Sequence, residues 1–148
     1  MSSDNPDHVA RAQPETLRVT SVAASLTVND LSASLKWYTE VLGCVIENEW
    51  KNDDGVTFMA SLKAGDAQFN LGQDDFAKGR DRAKGVGFRL YCETSQDIDA
   101  VAERIKAAGG TLDAEPTDQE WGMRDFALTD PDGFKITIWK PLPGGVHM

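Results

Sequence analysis

Few side chains in this sequence have the reactivity that catalysis or metal binding requires. The two histidines, His8 and His147, lie close to the ends of the chain, and Cys44 and Cys92 do not form a CxxC pair. A divalent metal site normally draws on His, Cys or several carboxylates. We therefore predict no metal ligand, no cofactor and no catalytic residue.

Sequence motifs for nucleophilic catalysis and phosphate binding are also missing. No GxSxG or GxxxxGK[ST] segment occurs, and GVGFRL has Leu90 where GxGxxG would have its third glycine. Glu120 and Asp125 are carboxylates that could serve as a general base, but no neighbouring motif gives them that role. The sequence therefore points to recognition of a ligand rather than to its conversion.

Arg89 and Trp121 are the side chains with the clearest potential for recognition. An arginine guanidinium on a strand can bind a carboxylate or phosphate through two parallel hydrogen bonds. The alternative for Arg89 is an ion pair with one of the 24 Asp and Glu residues. Trp121, which opens the segment WGMR, could stack on a planar or cationic ligand, or it could simply pack against a hairpin.

The composition excludes two classes of partner. The formal charge of 15 − 24 = −9 and the pI near 4.6 argue against nucleic acid, which is bound through clustered cations. No apolar segment approaches the roughly 20 residues that span a bilayer, so we predict no membrane interaction. The first 17 residues lack the apolar stretch of a signal peptide, and we expect a cytoplasmic protein.

The first half of the chain has the pattern of a strand, a helix and three further strands. Apolar residues alternate from Val22 to Val28, which is typical of a half-buried strand. Asp30 can then cap a helix that Gly43 ends, with a stripe at Leu31, Leu35, Tyr38 and Leu42. Turn clusters separate three more predicted strands, at 44–50, 56–62 and 67–71.

The second half repeats this βαβββ order. Alternation from Val86 to Cys92 predicts a strand, and a helical stripe from Ile98 ends at Gly109. Further strands are predicted at 111–114, 123–129 and 134–139. We predict a flexible arm (1–16), a first module (17–73), a solvated linker (74–84), a second module (85–142) and a tail (143–148), with 17–142 forming one domain.

The segments VNDLSASLKWYTEVLG and WGMRDFALTDPDGFKITIW resemble the vicinal oxygen chelate superfamily, which includes glyoxalases, extradiol dioxygenases and bleomycin-resistance proteins. The resemblance implies an α+β fold in which two tandem βαβββ modules form a curled mixed sheet around a cleft. In this family the cleft is often completed across a dimer interface. We accordingly expect a homodimer that binds a small-molecule ligand.

The resemblance also implies where metal ligands would lie. Metal-dependent members have a His near the start of each module's first strand and a carboxylate on each module's last strand. The corresponding positions here are Ala23, Gly85, Phe69 and Thr137, none of which can bind a metal. Shifting the alignment at Gly85 by one or two residues gives Val86 or Gly87. Gln68 and Asn70 flank Phe69, and the alternation of strand side chains leaves open whether the apolar or the polar residues of this strand face the cleft.

Strand alternation predicts the residues that line this cleft. In the first and last strands of each module, the side chains that point away from the helix are expected to face the cleft. Four aromatic residues join them by strand position and would give an apolar wall suited to an organic ligand. The predicted ligand-binding residues are Ser25, Thr27, Trp50, Phe58, Phe69, Arg89, Trp121, Lys135, Thr137 and Trp139.

Three functions are compatible with these residues. The first, resembling the bleomycin-resistance branch, is a metal-independent protein that sequesters an aromatic or cationic compound, such as an antibiotic, in a dimer cleft. The alternative is a metal-dependent glyoxalase-like lyase or isomerase, or an extradiol-type dioxygenase, with atypical oxygen ligands such as Gln68, Asn70, Glu47 and Glu49. A third possibility is an interaction-mediating dimer with an exposed apolar patch and no ligand-sized cavity.

Overall fold

The computed structural model describes residues 15–144, and it contains the predicted βαβββ unit twice. The first module consists of β1 (Ala23–Val28), α1 (Leu31–Lys36) with a π-helical continuation (Trp37–Leu42), β2 (Val45–Lys51), β3 (Thr57–Ala64) and β4 (Ala67–Gln73). The second consists of β5 (Arg89–Glu93), α2 (Ile98–Ala107), β6 (Leu112–Asp118), β7 (Met123–Thr129) and β8 (Lys135–Pro141). His8, His147 and most of the predicted arm and tail lie outside the described residues.

Each module forms its own four-stranded mixed sheet. The strand orders are β1-β4-β3-β2 and β5-β8-β7-β6, and the first and last strands of each module are parallel neighbours while the other pairs are antiparallel. The α+β fold class is thereby confirmed. In the described part of the chain no strand of one sheet pairs with a strand of the other, so the expected curled sheet consists of two separate four-stranded sheets.

Both helices begin where a side chain caps them. The Asp30 carboxylate accepts a hydrogen bond from the Ala33 backbone N–H at 3.1 Å, and Asp97 accepts one from Ala100 at 3.0 Å. The first helical stretch ends at Gly43, whose φ of 99° is left-handed and favours glycine. No helix within residues 15–144 is long and apolar enough to cross a membrane.

Alternate residues of both sheets meet in one continuous core on the side that carries the helices. Leu26 and Leu71 belong to this core from the first sheet, and Phe126 and Ile136 belong to it from the second. We call this side of each sheet the helix face and the opposite side the open face. The internal repeat therefore forms a single folded body with an open face on each sheet.

A buried polar pair joins the modules. The Tyr38 hydroxyl donates to the Asp130 carboxylate at 2.7 Å, and Asp130 also accepts from the backbone N–H groups of Asp132 and Phe134. Asp132 in turn accepts from the Asn29 backbone N–H at 2.9 Å. These bonds fasten the β7–β8 turn of the second module to α1 of the first.

The start of the fifth strand differs from its prediction. Gly85 and Gly87 have φ values of 78° and 71°, which interrupt an extended chain, and the Phe88 N–H turns back to the Gly85 carbonyl at 3.1 Å. A Cβ on Gly85 would clash with the Gly133 carbonyl oxygen. The strand therefore begins at Arg89, and Val86, predicted to face the core, is 82% exposed.

The segment 74–84 is not the fully solvated linker that its charges suggested. Asp74 is only 6% exposed and accepts hydrogen bonds from Lys84 at 2.8 Å, Arg82 at 3.0 Å and the Phe76 backbone N–H at 2.8 Å. The Lys84 side chain is buried as well. This ion pair closes the segment into a loop held at its two ends.

The Asp74 ion pair predicts a pH-dependent contribution to stability. Hydrogen bonds from Lys84, Phe76 and Arg82 hold the pKa of the Asp74 carboxyl well below its usual range. The stabilisation is therefore fully present above about pH 4, where the unfolded carboxyl is ionised, and it is lost as the pH falls towards the folded pKa. We expect Asp74→Asn to lower the urea midpoint at pH 7, and the difference from wild type to shrink in acid.

The matched control is Asp53→Asn, which removes one exposed carboxylate from the β2–β3 turn. It should leave the urea midpoint nearly unchanged at both pH values. A midpoint difference for Asp74→Asn that is the same at pH 7 and in acid would contradict the assignment.

Candidate functional site

The open face of the second sheet carries the largest group of predicted site residues. Strand register places Arg89 beside Lys135, Tyr91 beside Thr137, and Glu93 beside Trp139. Asp125 on β7 lies on the other side of Trp139. Arg89, Thr137, Lys135 and Trp139 thus share one surface, which has cations at one end and carboxylates at the other.

Arg89 is directed along this face by a hydrogen bond. Its Nη1 donates to the Thr137 hydroxyl at 2.9 Å, and Thr137 is buried. Arg89 has no ion pair within residues 15–144, so the alternative prediction of a carboxylate partner is not met there. Since an arginine side chain has five N–H donors, most of its capacity is available to a ligand.

Trp139 has an unusual environment for a buried aromatic residue. Its side chain is 5% exposed, and its indole Nε1–H is the one buried side-chain polar atom in the described part of the chain without a hydrogen-bond partner. The neighbouring Asp125 carboxylate is buried and accepts from Gln119 Nε2 at 2.9 Å. A buried unpaired donor is costly, and an acceptor on a ligand could satisfy it.

Two further side chains complete the face. Lys135 Nζ donates to the Thr129 hydroxyl at 3.1 Å, and Tyr91 is exposed between Arg89 and Glu93. Sequence reasoning did not include Tyr91 in the site, although it shares the alternation that selected Arg89.

The open face of the first sheet is neutral and polar near β1. Ser25 pairs with Asn70 and Thr27 with Gly72 in the strand register, and Gln68 Nε2 donates to Asn70 Oδ1 at 3.0 Å. The register therefore shows which side chains of β4 point away from the helices: the polar residues Gln68 and Asn70 lie on the open face. Trp50 lies on the same face and pairs with Met59 of β3.

Three other aromatic residues that were predicted to bind a ligand lie in different surroundings. The predicted cleft-facing position of Phe69 is wrong, because its side chain lies in the core on the helix face with its ring 5.8 Å from that of Tyr38. Phe58 lies where the β2–β3 ladder is irregular and is partly exposed. Trp121 lies in the β6–β7 turn and is 51% exposed, and its stacking on a ligand stays a prediction.

A groove separates the edge strands of the two sheets. It has a volume of about 500 Å³ and lies between β1 and β5. Open-face residues of both modules border it, namely Ala23, Ser25, Gln68, Tyr91 and Glu93. Phe69 borders the groove from the helix side. The groove thus brings Ser25 of the first module close to the open face of the second sheet.

The metal site of the family's enzymes does not fit the residues present. The open-face positions offer a methyl group at Ala23, amides at Gln68 and Asn70, and a hydroxyl at Thr137 that accepts from a guanidinium. A fixed positive charge beside Thr137 disfavours a divalent cation. No group of three or more His, Cys, Asp or Glu side chains within residues 15–144 is arranged to hold a metal.

Comparison with known proteins gives both a family and relatives. The sequence model of the Glyoxalase/Bleomycin resistance protein/Dioxygenase superfamily matches residues 7–138. A relative named probable lactoylglutathione lyase, from Vibrio cholerae, is 31% identical over 122 residues, which cover 76% of this chain and 84% of the relative. The chain thus resembles a protein named as an enzyme, while the positions within residues 15–144 that correspond to the family's metal ligands hold no metal-binding side chain.

Solved structures share the fold at lower sequence identity. TioX from Micromonospora sp. ML1 superposes with a TM-score of 0.68 at 20% identity, covering 84% of this chain and 100% of that one. TnmS3, an antibiotic binding protein from Streptomyces sp. CB03234, gives a TM-score of 0.65 at 24% identity, covering 86% and 99%. The family match over most of the sequence and the twofold βαβββ fold agree: the chain belongs to the Glyoxalase/Bleomycin resistance protein/Dioxygenase superfamily.

Proposed function

We propose that this protein binds an organic small molecule, without a metal ion, on the open face of its second sheet. The ligand is an aromatic or cationic compound such as an antibiotic, and binding sequesters it. The observation that carries the proposal is Trp139, whose buried indole N–H has no partner in the described residues. A ligand acceptor would supply the missing hydrogen bond once the side chains that cover the N–H move aside on binding.

The chemistry of the face supports an elongated aromatic ligand. Tyr91 supplies exposed aromatic surface, while Arg89 and the Thr137 hydroxyl suit an acidic oxygen. Arg89 and Glu93 are four residues apart on one strand, which corresponds to about 13 Å at the rise of a β-strand. A drug-sized molecule could therefore contact both the cationic and the acidic end.

Sequestration would be completed by a second copy of the chain. The open face of the first sheet exposes Trp50 and Met59, and Val45 is exposed at the other end of the edge strand β2. An exposed apolar patch of this kind suits an interface. In the proposed homodimer the first sheet of one copy covers the second sheet of the other, and the ligand lies in the cleft between them.

Sequestration requires no catalytic residue, because a protein in excess of its ligand lowers the free ligand concentration by mass action. TnmS3, which shares the fold, is described as an antibiotic binding protein. This likeness supports the proposed ligand class, and the side chains on the second sheet support the proposed position.

A second function is favoured by the names of the relatives. The 31% identity to a probable lactoylglutathione lyase supports a glyoxalase-like lyase or isomerase that uses atypical oxygen ligands. The family description includes dioxygenases and is compatible with an extradiol-type dioxygenase. Such an enzyme would have to hold its metal with side chains such as Gln68 and Asn70. Neutral amides are weak ligands in comparison with His or carboxylates, so the metal-independent function is preferred.

The proposal predicts that a ligand is found among planar aromatic compounds. A panel of aromatic antibiotics, screened in EDTA by thermal shift and calorimetry, should contain at least one that raises the melting temperature. For that compound, Trp139→Phe should weaken binding about tenfold, which corresponds to the loss of one hydrogen bond of about 1.4 kcal/mol.

The matched control for this prediction is Trp121→Phe, which makes the same replacement at an exposed turn. It should leave the affinity within about twofold of wild type, since surface substitutions rarely exceed ±0.5 kcal/mol. The absence of a melting shift with every compound of a broad panel would overturn the proposed function.

A further inference from the structure

The charged residues on the open face of the second sheet are sorted by sign. Three rows of open-face residues follow one another across β5, β8 and β7, and each row consists of residues aligned by the strand register. We call them the cationic row, the neutral row and the acidic row. The cationic row is Arg89, Lys135 and Thr129, the neutral row is Tyr91, Thr137 and Ala127, and the acidic row is Glu93, Trp139 and Asp125.

This arrangement of charges does not stabilise the fold. Like charges on neighbouring strands repel each other, and Arg89 beside Lys135 is such a pair. Within residues 15–144 no ion pair is formed by either of these cations, nor by Glu93 or Asp125. Charges of both signs thus lie on one surface without neutralising each other, and a ligand that carries both signs could neutralise them.

Arg89 is the principal cation of the cationic row. Lys135 Nζ donates to the Thr129 hydroxyl at 3.1 Å, and this hydroxyl donates to the Asp113 carboxylate on the edge strand β6, which offsets part of the lysine charge. The Arg89 guanidinium instead donates to the Thr137 hydroxyl at 2.9 Å. This hydrogen bond draws the guanidinium along the face towards the neutral row.

The acidic row contains the unpaired indole N–H of Trp139. Glu93 is exposed and accepts no hydrogen bond from the residues that the structure describes. Asp125 is buried and accepts from the neutral amide of Gln119 at 2.9 Å. An ammonium group of a ligand would find uncompensated carboxylates here, while a neutral oxygen of the ligand could accept from the Trp139 N–H.

The spacing of the rows gives the distance between the two charges of a matching ligand. Neighbouring rows are two residues apart along a strand, which corresponds to about 7 Å, so the outer rows are about 13 Å apart. Because Arg89 reaches towards Thr137, the separation of the ligand charges should be roughly 7 to 13 Å. Between them the neutral row presents the exposed Tyr91 ring and the methyl group of Ala127, which suit an aromatic ring system.

We infer that the open face of the second sheet selects zwitterionic aromatic compounds, which have a carboxylate at one end and a protonated amine at the other. The carboxylate binds the Arg89 guanidinium, the ring system lies over the neutral row, and the amine lies beside Glu93. The inference rests on the proposed function and narrows its ligand class, because a compound with one charge would leave the opposite row without a partner.

Norfloxacin and two of its derivatives test the inference. Norfloxacin has a carboxylate and a protonated amine at opposite ends of a planar ring system near neutral pH. N-acetylnorfloxacin loses the positive charge, and norfloxacin ethyl ester loses the negative charge. Calorimetry on the full chain in EDTA should show that norfloxacin binds at least about tenfold more tightly than either derivative. Ampicillin should exceed benzylpenicillin, which lacks only the amine, by a similar factor.

Two variants assign each ligand charge to its row. Arg89→Met should weaken norfloxacin at least about tenfold and change the affinity of the ethyl ester by less than about twofold. Glu93→Gln should weaken norfloxacin about five- to tenfold and leave N-acetylnorfloxacin within about twofold. The matched control is Glu40→Gln, at an exposed residue of the first helical stretch, which should change neither affinity.

Several results would overturn the inference. It fails if neither norfloxacin nor ampicillin binds, or if the singly charged derivatives bind as tightly as norfloxacin. It also fails if Arg89→Met weakens norfloxacin and its ethyl ester equally, since the loss would then not depend on the carboxylate. The comparison of derivatives on the wild-type protein requires no variant, so it stays decisive if circular dichroism shows that a variant does not fold.

Failure of the inference can be distinguished from failure of the proposed function. If the zwitterions are not preferred but another compound of the antibiotic panel binds and depends on Trp139, the proposed function stands and the inference is refuted. If no compound of the panel, norfloxacin and ampicillin included, raises the melting temperature, both are refuted.

Discussion

Replacing Asp130 with Ala is expected to lower the free energy of unfolding by about 3 to 5 kcal/mol, the range of large single-residue effects in proteins. The buried carboxylate accepts from the Tyr38 hydroxyl at 2.7 Å and from the backbone N–H groups of Phe134 at 2.8 Å and Asp132 at 2.9 Å. Alanine would leave three donors without their acceptor, each costing roughly 1 to 3 kcal/mol where it stays buried. Urea denaturation monitored by fluorescence measures the loss.

Tyr38→Phe is the graded comparison for this prediction. It removes one of the three bonds and keeps the aromatic ring, so we expect a loss of about 1 to 2 kcal/mol. Asp75→Ala, at an exposed carboxylate of the neighbouring segment, should change stability by less than about 1 kcal/mol. A loss in Asp130→Ala no larger than that in Tyr38→Phe would show that the carboxylate does not organise the turn.

The Asp130 prediction concerns function as well as stability, because this carboxylate joins the modules. Tyr38 belongs to the helix of the first module and Asp130 to the last turn of the second. The orientation of the two sheets determines the groove between β1 and β5. Any ligand that contacts both modules should therefore bind more weakly to folded Asp130→Ala protein than to wild type.

The second large effect is expected at Arg89. Arg89→Met should weaken a ligand with a carboxylate or phosphate by about 10- to 100-fold, since hydrogen bonds to charged groups contribute about 1.5 to 3 kcal/mol. The variant keeps a long apolar stem and removes the guanidinium that the Thr137 hydroxyl orients at 2.9 Å. Calorimetric titration with a ligand from the antibiotic panel measures the change.

Two controls separate recognition from general charge. Lys78→Met removes one positive charge from an exposed position in the loop 74–84 and should leave the affinity within about twofold. Arg89→Lys keeps the charge and loses the two-pronged geometry, so its affinity should lie between wild type and Arg89→Met. Equal affinities for Arg89→Met and Lys78→Met would remove Arg89 from the binding site.

The architecture of this protein was accessible from local sequence patterns. Alternation at Leu26 and Val28 identified helix-face residues that the structure buries. Asp30 was recognised as a helix cap because its side chain can accept a backbone N–H three residues ahead. These features depend on neighbours in the sequence, which is why they could be predicted.

The face to which each strand side chain points, and the register between strands, were harder to predict than the strands themselves. Phe69 was assigned to the cleft by counting an offset between modules, whereas the β4 register turns it to the core and turns Asn70 outward. A one-residue error in such a count exchanges the two faces of a strand. The polar character of Gln68 and Asn70 was the signal that favoured the correct parity.

Contacts between the modules could not be predicted, because they join residues far apart in sequence. Neither the Tyr38 bond to Asp130 nor the unpaired indole N–H of Trp139 has a local signature. The β3–β4 turn, formed by Gly65 and Asp66, is shorter than the β7–β8 turn of the second module. The effect of this difference on packing becomes visible only when both turns are placed against the helices.

Metal independence is the central claim, and binding measured with and without metal tests it most directly. Protein equilibrated with Mn²⁺, Fe²⁺, Ni²⁺ or Zn²⁺ and then desalted would be examined by elemental analysis and by titration with the antibiotic, beside protein kept in EDTA. The account predicts a metal content near zero per chain and the same dissociation constant in every sample. About one ion per chain, with binding or lyase activity that EDTA abolishes, would contradict it.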